Sequence, residues 1–341
     1  MPTISYNKNR PTVINSLPQN KKKVRFCLYL IETLPYFCYI FCIHMHSGVL
    51  FMEYSGYSKI NLGLDVIRKR EDGYHDLRMI MQTLQLRDLI DIDIFPSDKM
   101  EIEMTCSVDT LPIDESNLCI KAAKLLMEEF HVNKKVVLHL VKNIPIAAGM
   151  AGGSADAAAV LEGLNDMLDL GLSKEELMKR GVKLGADIPY CIMKGTALAE
   201  GIGDKLTRLH PMVNYPIVIA KPPEGVSTAF VYGNLKIDKL EHPDIDAMIT
   251  AIDKEDVEGI AATMGNVLES VTVPALPVID EIKQIMMKYK ALGSMMSGSG
   301  PTVFGIFPNE HQASKASSAL RRSDLCEKVV ITYVYNISED G

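Results

Sequence analysis

The sequence lacks the patterns that mark several large classes of protein. Its seven cysteines are scattered, with neither a C-x-x-C pair nor a Cys/His cluster, so we expect no cluster of metal-ligating side chains and a reduced, cytoplasmic environment. An excess of basic residues is also missing, since the formal net charge is -7. We therefore expect no nucleic-acid partner.

Two common nucleotide-binding motifs are missing as well. The chain has no Gly-Lys-Ser/Thr of a P-loop, and no G-x-G-x-x-G that is followed by a second strand and an acidic residue. A phosphorylated ligand still agrees with the negative net charge, because local N–H groups and one or two cations are enough to hold a phosphate. Any phosphate site in this chain must use another scheme.

Length and composition predict a folded protein of two domains. The chain has 341 residues, of which 47% are hydrophobic and 23% are charged, close to the average for soluble globular proteins. At about 150 residues per domain, this length corresponds to roughly two domains. We place the first domain at residues 52–212 and the second at residues 213–341.

Residues 1–51 do not match the rest of the chain. A lysine triplet at residues 21–23 precedes an apolar, aromatic run at residues 26–42, as at the start of a signal peptide. Glu32 interrupts this run before an uncharged span of about 18 residues is reached. We favour an extension outside the fold, with a native start at Met52, and then expect no stable membrane association; a membrane-associated segment and a targeting signal are the alternatives.

The first half of the chain alternates between strand and helix patterns. Residues 57–66 alternate in polarity and place Lys59 and Asn61 on the face opposite the apolar side chains. Asp72 and Gly73 form a turn signal. Further strands are predicted at residues 89–94, 100–104 and 136–141. Helices are predicted at residues 117–130, 154–168 and 173–184, the last of them begun by a Ser173/Glu176 capping box and ended by Gly185.

The second half predicts a small split α/β sandwich. Helices are expected at residues 245–252, 256–268, 278–289 and 310–322, and strands at residues 215–220, 294–296, 302–307 and 328–335. A glycine-rich loop at residues 297–302 (SGSGPT) joins two of these strands. On its own, that loop is also consistent with an ordinary hairpin turn.

A second loop of small residues leads directly into the helix at residues 154–168. Small side chains let an anion approach backbone N–H groups, and the first helical turn adds unpaired N–H donors and the positive end of a dipole. This junction predicts a phosphate site, although a flexible turn before an alanine-rich helix also fits. The loop comprises Pro145, Ile146, Ala147, Ala148, Gly149, Met150, Ala151, Gly152, Gly153, Ser154 and Ala155.

This loop, P-x-x-x-G-[LM]-x-G-G-S-[SA]-[DN]-A-A, resembles the ATP-binding signature of the kinase superfamily that contains galactokinase, homoserine kinase, mevalonate kinase and phosphomevalonate kinase. The strand at residues 57–66 and the loop at residues 297–302 occur in the order that this superfamily requires. Two further stretches, at residues 72–75 (DGYH) and 185–190 (GADIPY), are similar to the branch that phosphorylates a cytidine diphosphate-linked methylerythritol in the non-mevalonate isoprenoid pathway. The resemblance covers about residues 53–335.

The resemblance implies a fold, a donor and two catalytic residues. It predicts an α+β, two-domain small-molecule kinase fold, with an N-terminal ATP-binding α+β domain and a C-terminal ferredoxin-like split α/β sandwich. ATP and Mg²⁺ are the expected cofactors, with the loop at residues 145–155 holding the phosphates. Asp187 is the expected general base, and Lys59 is expected to pair with it and to stabilise the transferring phosphoryl group. A turn-forming Asp187 and a surface Lys59 are the structural alternatives.

Two positions in the loop leave a choice of interpretation. Ser154 either caps the following helix or ligates Mg²⁺ through its hydroxyl. Ala151 stands where many relatives have glycine, and we expect little effect because alanine keeps the backbone N–H. Met150 replaces the commoner leucine, a nearly isosteric change.

The resemblance also implies which residues bind the acceptor. Tyr74 and Tyr232 are expected to flank the cytosine ring, because aromatic faces stack on bases, and His75 is expected to read the base edge. Asn61 and Thr228 are expected near the substrate. Phe230 is an alternative to Tyr232, and either aromatic side chain is also consistent with a place in the core.

The sequence thus predicts an ATP-dependent kinase that phosphorylates the 2-hydroxyl of the cytidine diphosphate-linked substrate. A related kinase that acts on homoserine or mevalonate is the main alternative, and a catalytically silent ligand-binding relative is the other. The partners expected are the small-molecule substrate and ATP, with the chain a monomer or homodimer.

Overall fold

The computed structural model describes residues 50–337. The extension predicted at residues 1–51 therefore lies outside this range, apart from residues 50 and 51. Leu50 and Phe51 already belong to the first strand, where they pair with Ile94 and Asp93.

Strands and helices alternate through the described part of the chain. Within residues 50–337 the strands are β1 (Leu50–Lys69), β2 (His75–Pro96), β3 (Glu101–Cys106), β4 (Lys134–Val141), β5 (Thr196–Gly201), β6 (Lys205–Arg208), β7 (Pro216–Lys221), β8 (Gly265–Asn266), β9 (Gly293–Met296), β10 (Val303–Ile306) and β11 (Lys328–Tyr333). The α-helices are α1 (Leu118–Glu129), α2 (Gly152–Met167), α3 (Lys174–Gly181), α4 (Ile188–Met193), α5 (Thr228–Gly233), α6 (Ile245–Asp253), α7 (Val257–Thr263), α8 (Glu269–Ala275), α9 (Val278–Lys288) and α10 (Glu310–Arg321).

The larger sheet has seven strands and is organised around β2. Its main path is β3-β4-β2-β1-β8, and β5 pairs with another part of β2 and with β6. The long antiparallel pair of β1 and β2 forms the middle of this sheet. Helix α2 packs on β1, and the approach is close because a Cβ on Gly56 would lie 2.8 Å from the backbone of Ala155.

Strand β1 departs from a simple half-buried strand. The pairing with β2 shifts register between Tyr57 and Lys59 and again between Asn61 and Gly63, and such bulges bend a strand and redirect its side chains. Lys59 and Asn61 are only 4% and 1% exposed. The polar face expected from the alternation is therefore buried inside the molecule, and the surface alternative for Lys59 is wrong.

The smaller sheet matches the predicted split α/β sandwich. Its four antiparallel strands lie in the order β11-β7-β10-β9. Numbered from 1 to 4 along the chain, this order is 4-1-3-2, which is that of a ferredoxin-like sheet. Helices α9 and α10 pack on this sheet and on each other. Its core includes the fully buried Phe304 and Phe307.

Several predicted boundaries are wrong. The capping box of Ser173 and Glu176 is present, but α3 ends at Gly181 and residues 182–184 form a turn, so Gly185 does not end the helix. The helix predicted at residues 256–268 stops at Thr263, because the next residues form β8 and pair in parallel with β1. Helix α5 was not expected.

No helix of the described residues combines the length and the apolar character that crossing a membrane requires.

Candidate active site

A cavity of ≈ 1080 Å³ lies where loops from the two sheets meet. That volume suits two small ligands side by side, since single-ligand pockets measure about 300–1,000 Å³. The predicted site residues that line it are Lys59, Asn61, Tyr74, His75, Pro145, Ile146, Ala147, Ala148, Gly149, Met150, Ala151, Gly152, Gly153, Ser154, Asp187, Thr228 and Tyr232. Ala155 is the exception, because it is 1% exposed and packs in the core behind the loop.

The small-residue loop presents an uncapped helix start to the cavity. Ala151 is the N-cap of α2 and makes no side-chain capping bond, and Ala155 is the first residue whose N–H bonds back into the helix, to Ala151 O at 2.8 Å. The N–H groups of residues 152–154 thus have no intrahelical acceptor. Unpaired donors at a helix start form an anion-binding site.

The same geometry corrects two expectations about this loop. Ser154 lies inside the first turn of α2, so it does not cap the helix, and the capping interpretation is wrong. Ala151 has φ of 56°, a left-handed conformation that costs a residue with a Cβ about 1–2 kcal/mol. Alanine in place of glycine is therefore a strained choice here and not a neutral one.

Lys59 is fixed between the first strand and the loop. Its Nζ donates to Asn61 Oδ1 at 2.7 Å and to Gly149 O at 2.9 Å. Burial lowers the pKa of Lys59, and the nearby charge of Asp187 acts in the opposite direction. Within residues 50–337 no ion pair joins Lys59 to Asp187, so the expected direct pair is wrong. The two side chains instead face the same cavity and interact through space.

The glycine-rich loop at residues 297–302 packs directly on the loop at residues 145–155, which we name the phosphate loop after the ligand predicted for it. Ser297 Oγ donates to Gly149 O at 3.0 Å, the carbonyl that also accepts from Lys59. The contact is so close that a Cβ on Gly149 would lie 2.1 Å from Ser297 O. The loop at residues 297–302 therefore supports the phosphate loop and helps to fix the carbonyl that binds Lys59.

Asp187 lies at the start of α4, with Pro189 in the first turn of that helix. Proline is favoured at such an early helix position, because the N–H that it lacks would have no intrahelical acceptor there. The carboxylate does not cap α4. Asp187 lines the cavity, and its charge acts to raise the pKa of both Lys59 and Tyr232.

The residues predicted to bind the acceptor lie together at one side of the cavity, where residues 74–75, α5 and the loop at residues 297–302 meet. The rings of His75 and Tyr232 lie 5.1 Å apart between centroids, tilted by 35°. Thr228 Oγ1 is 2.9 Å from Ser299 Oγ, so α5 and the SGSGPT loop are joined. Tyr74 is 61% exposed at the rim. Phe230 is 48% exposed and is not among the residues that line the cavity.

The side chains of Tyr232 and His75 have shifted pKa values. Burial, and to a smaller extent the charge of Asp187, raises the pKa of the Tyr232 hydroxyl. Burial, and then the charge of Lys69, lowers the pKa of His75. We conclude that His75 is neutral near pH 7, with one ring nitrogen that donates and one that accepts.

Some residues of the cavity wall were not predicted. Lys142 and Asp156 line it at either end of the phosphate loop, and Lys69 lies beside His75. The sequence held two signals for them, a lysine three residues before the loop and the [DN] position of the loop signature, which Asp156 occupies. Another part of the wall comes from the segment before α1, and no motif marked it: Leu111, Pro112, Ser116 and Asn117.

Among residues 50–337, no group of three or more His, Cys, Asp or Glu side chains is arranged to hold a metal ion. The cavity does offer single oxygen donors next to the phosphate loop. Ser154 is one of them, since its hydroxyl is not used to cap α2. Mg²⁺ commonly takes one or two protein oxygens together with substrate phosphates, so this donor set fits a phosphate-bound Mg²⁺.

Comparison with known proteins gives one consistent result. The model of the GHMP kinases N terminal domain matches residues 117–195, and that of the GHMP kinases C terminal domain matches residues 248–324. A 4-diphosphocytidyl-2-C-methyl-D-erythritol kinase of Lachnospira eligens is 51% identical over 279 residues, which cover 82% of this chain and 96% of the relative. Its counterpart in Caldicellulosiruptor bescii is 49% identical over 271 residues, or 79% of this chain and 94% of the relative.

Solved structures agree with the sequence relatives. A crystal structure of 4-(cytidine 5'-diphospho)-2C-methyl-D-erythritol kinase superposes with a TM-score of 0.72 and 28% identity, over 84% of this chain and 100% of the other. Mevalonate kinase of L. major, in complex with R-mevalonate, gives a TM-score of 0.68 at 16% identity, over 86% of this chain and 98% of the other. That second likeness concerns the fold alone. The predicted two-domain kinase fold is confirmed.

Proposed function

The chain belongs to the 4-diphosphocytidyl-2-C-methyl-D-erythritol kinase family of the GHMP kinases, and from this membership we propose that its cavity transfers the γ-phosphoryl group of ATP to the 2-hydroxyl of that diphosphocytidyl substrate. The reaction converts ATP and the alcohol into ADP and a phosphate monoester, a step of the non-mevalonate isoprenoid pathway. ATP as donor follows from the family.

One observation carries the assignment of the site. The unpaired N–H groups at the start of α2, the buried Lys59 and the carboxylate of Asp187 all face a single cavity. Phosphoryl transfer needs the triphosphate held, its charge neutralised and the acceptor hydroxyl aligned, and little covalent chemistry from the protein. These three groups supply those three requirements.

Each group then has a role in the transfer. The N–H groups of residues 152–154 bind phosphate oxygens of ATP. Asp187 accepts the proton of the acceptor hydroxyl as the oxygen–phosphorus bond forms and the bond to ADP breaks. Lys59, held by Asn61 and Gly149 O, donates its remaining N–H to the transferring group and stabilises its charge.

The acceptor side fits a nucleotide end. The rings of Tyr232 and His75 are tilted by 35° at a centroid distance of 5.1 Å, within the range of aromatic contacts, and Tyr74 adds a third ring at the rim. We propose that Tyr232 and Tyr74 flank the cytosine, that His75 reads its edge, and that Asn61 and Thr228 contact the remainder of the substrate. The interior position of Tyr232 favours it over Phe230 as the stacking residue.

Mg²⁺ and a cytoplasmic location are parts of the same proposal. The ion neutralises phosphate charge when it is bound. Ser154 is the side chain that we expect to ligate it, because the hydroxyl lines the cavity beside the phosphate loop.

A substrate panel tests the proposed function. ADP release is followed in a coupled assay with the purified protein, ATP, Mg²⁺ and one of three acceptors: the diphosphocytidyl substrate, mevalonate or homoserine. We expect turnover with the first acceptor and none above background with the other two. Comparable kcat/KM for mevalonate or homoserine, or no ADP with any acceptor, would overturn the proposal.

A further inference from the structure

Three buried charged side chains surround the base of the phosphate loop. Lys142 Nζ donates to Asp156 Oδ2 at 2.7 Å and also contacts Asp88 Oδ2. None of the three side chains is more than 5% exposed. Lys142 follows β4, where the chain enters the loop, and Asp156 lies in α2, where the chain leaves it.

The carboxylate of Asp88 holds the entrance of the loop with its second oxygen. Asp88 Oδ1 accepts from the backbone N–H groups of Asn143, at 2.5 Å, and Ile144, at 2.8 Å. Asp88 belongs to β2, the strand that organises the larger sheet. The loop is thus closed at its base by the Lys142–Asp156 contact and fastened to the sheet by Asp88.

A contribution to folding stability does not by itself explain these three buried charged side chains. Taking ions out of water is so unfavourable that a buried ion pair is often no more stabilising than apolar side chains of similar size. Burial indeed raises the pKa of Asp156, with Lys142 opposing the shift, and Asp156 Oδ1 has no hydrogen-bond partner in the described chain. The position of this buried charged network at the base of the phosphate loop points to a role in holding the loop in one conformation.

Given the proposed function, which puts ATP on this loop, we propose that Asp88, Lys142 and Asp156 form a positioning triad that sets the spacing of the phosphate-binding N–H groups. Lys142 Nζ lies 3.3 Å from the position of a Cβ on Gly152, directly at the first turn of α2. A shift of Lys142 is therefore transmitted to the donors at residues 152–154. Asp88 does not line the cavity, so it acts only through its neighbours.

The test uses Asp88→Asn, which removes the charge and keeps an oxygen for the N–H groups of Asn143 and Ile144. ATP affinity is measured by calorimetry, and the two KM values by steady-state kinetics. We expect ATP binding to weaken by between about tenfold and about 100-fold, the effect of weakening one or two hydrogen bonds to a charged phosphate. The KM for the acceptor should stay within about twofold of wild type.

A double variant and a matched control complete the experiment. Asp88→Asn/Lys142→Met should bind ATP no more weakly than Lys142→Met alone, because residues that act through one another are not additive. Glu162→Gln breaks the Glu162–Lys194 ion pair in the later part of the same helix, where Lys194 Nζ is 2.7 Å from Glu162 Oε2. It should leave ATP affinity unchanged.

Three results would overturn the proposal. They are unchanged ATP affinity in Asp88→Asn, an equal loss for both substrates that follows a lower melting temperature, and strictly additive losses in the double variant. Calorimetry with ATP needs no acceptor, so the triad is tested even if the substrate panel disproves the proposed acceptor.

Discussion

The contact between the two glycine-rich loops leads to a sharp prediction for Gly149→Ala. Gly149 has φ of 70°, and an added Cβ would lie 2.1 Å from Ser297 O, against about 3.5 Å for a normal contact. The loops would have to separate by about 1.4 Å to restore a normal contact. That movement weakens the hydrogen bonds that Gly149 O accepts from Lys59 and Ser297, which contribute about 1.5–3 kcal/mol for the charged donor and about 0.5–1.5 kcal/mol for the hydroxyl.

The chain contains a control with the same backbone strain. Gly171 has φ of 71°, and a Cβ there meets nothing within 4 Å. Gly171→Ala should therefore show the strain of about 1–2 kcal/mol less the entropy that alanine removes from the unfolded chain, a net loss of about 0.5–1 kcal/mol that lowers the melting temperature by a few degrees and leaves turnover intact. Gly149→Ala should show this strain together with the displaced loop.

Activity separates the two variants. We expect kcat/KM for ATP to fall about 100-fold in Gly149→Ala, the typical effect of a displacement of about 1 Å in a catalytic site, and to stay within about twofold in Gly171→Ala. The assays are coupled ADP release and thermal unfolding monitored by circular dichroism. If the two variants lost the same stability and both kept nearly wild-type activity, the buttressing role of the SGSGPT loop would be refuted.

Other residues give three further predictions. Ala151→Gly should raise the free energy of unfolding in urea by about 0.5–1 kcal/mol, because relief of left-handed strain exceeds the entropy that glycine adds to the unfolded chain; a loss of stability would contradict the strain assignment. Tyr232→Ala should raise the KM for the acceptor by about tenfold or more, from lost stacking of about 1–3 kcal/mol, whereas an equal rise in Phe230→Ala would reverse that choice. Burial lowers the pKa of His75, so the KM for the acceptor should rise only as the pH falls below about 6.5, when protonation removes the accepting nitrogen. His75→Gln should abolish this pH dependence. A pH profile of the variant that matches wild type would show that His75 does not bind the acceptor.

Local patterns in the sequence predicted most of the elements. Alternation identified β1, and Ser173 with Glu176 marked the start of α3, because both features depend on residues that are close along the chain. The small-residue loop and Asp187 were found for the same reason, each within a short motif. The fold class followed from the resemblance to a kinase superfamily that these motifs carry.

Contacts between distant segments account for what was not predicted. Alternation placed Lys59 on the polar face of β1 and predicted a pair with Asp187, but two bulges in β1 bury it against Gly149 O. Asp88 lies 54 residues before Lys142 in the chain, and no local pattern joins them. Helix α5 was missed although Ser227 caps it, because the aromatic residues that follow resemble those of a strand.

The role of Asp187 is the center of the mechanism, and a single-turnover experiment tests it most directly. Wild type and Asp187→Asn are mixed with radiolabelled ATP and saturating diphosphocytidyl substrate, and the phosphorylated product is quantified after rapid quenching. The amide keeps the size of the side chain and removes its ability to take the proton, so we predict that the rate of transfer falls by about 10²–10⁴-fold while both substrates still bind. A rate in Asp187→Asn within about threefold of wild type would contradict the account.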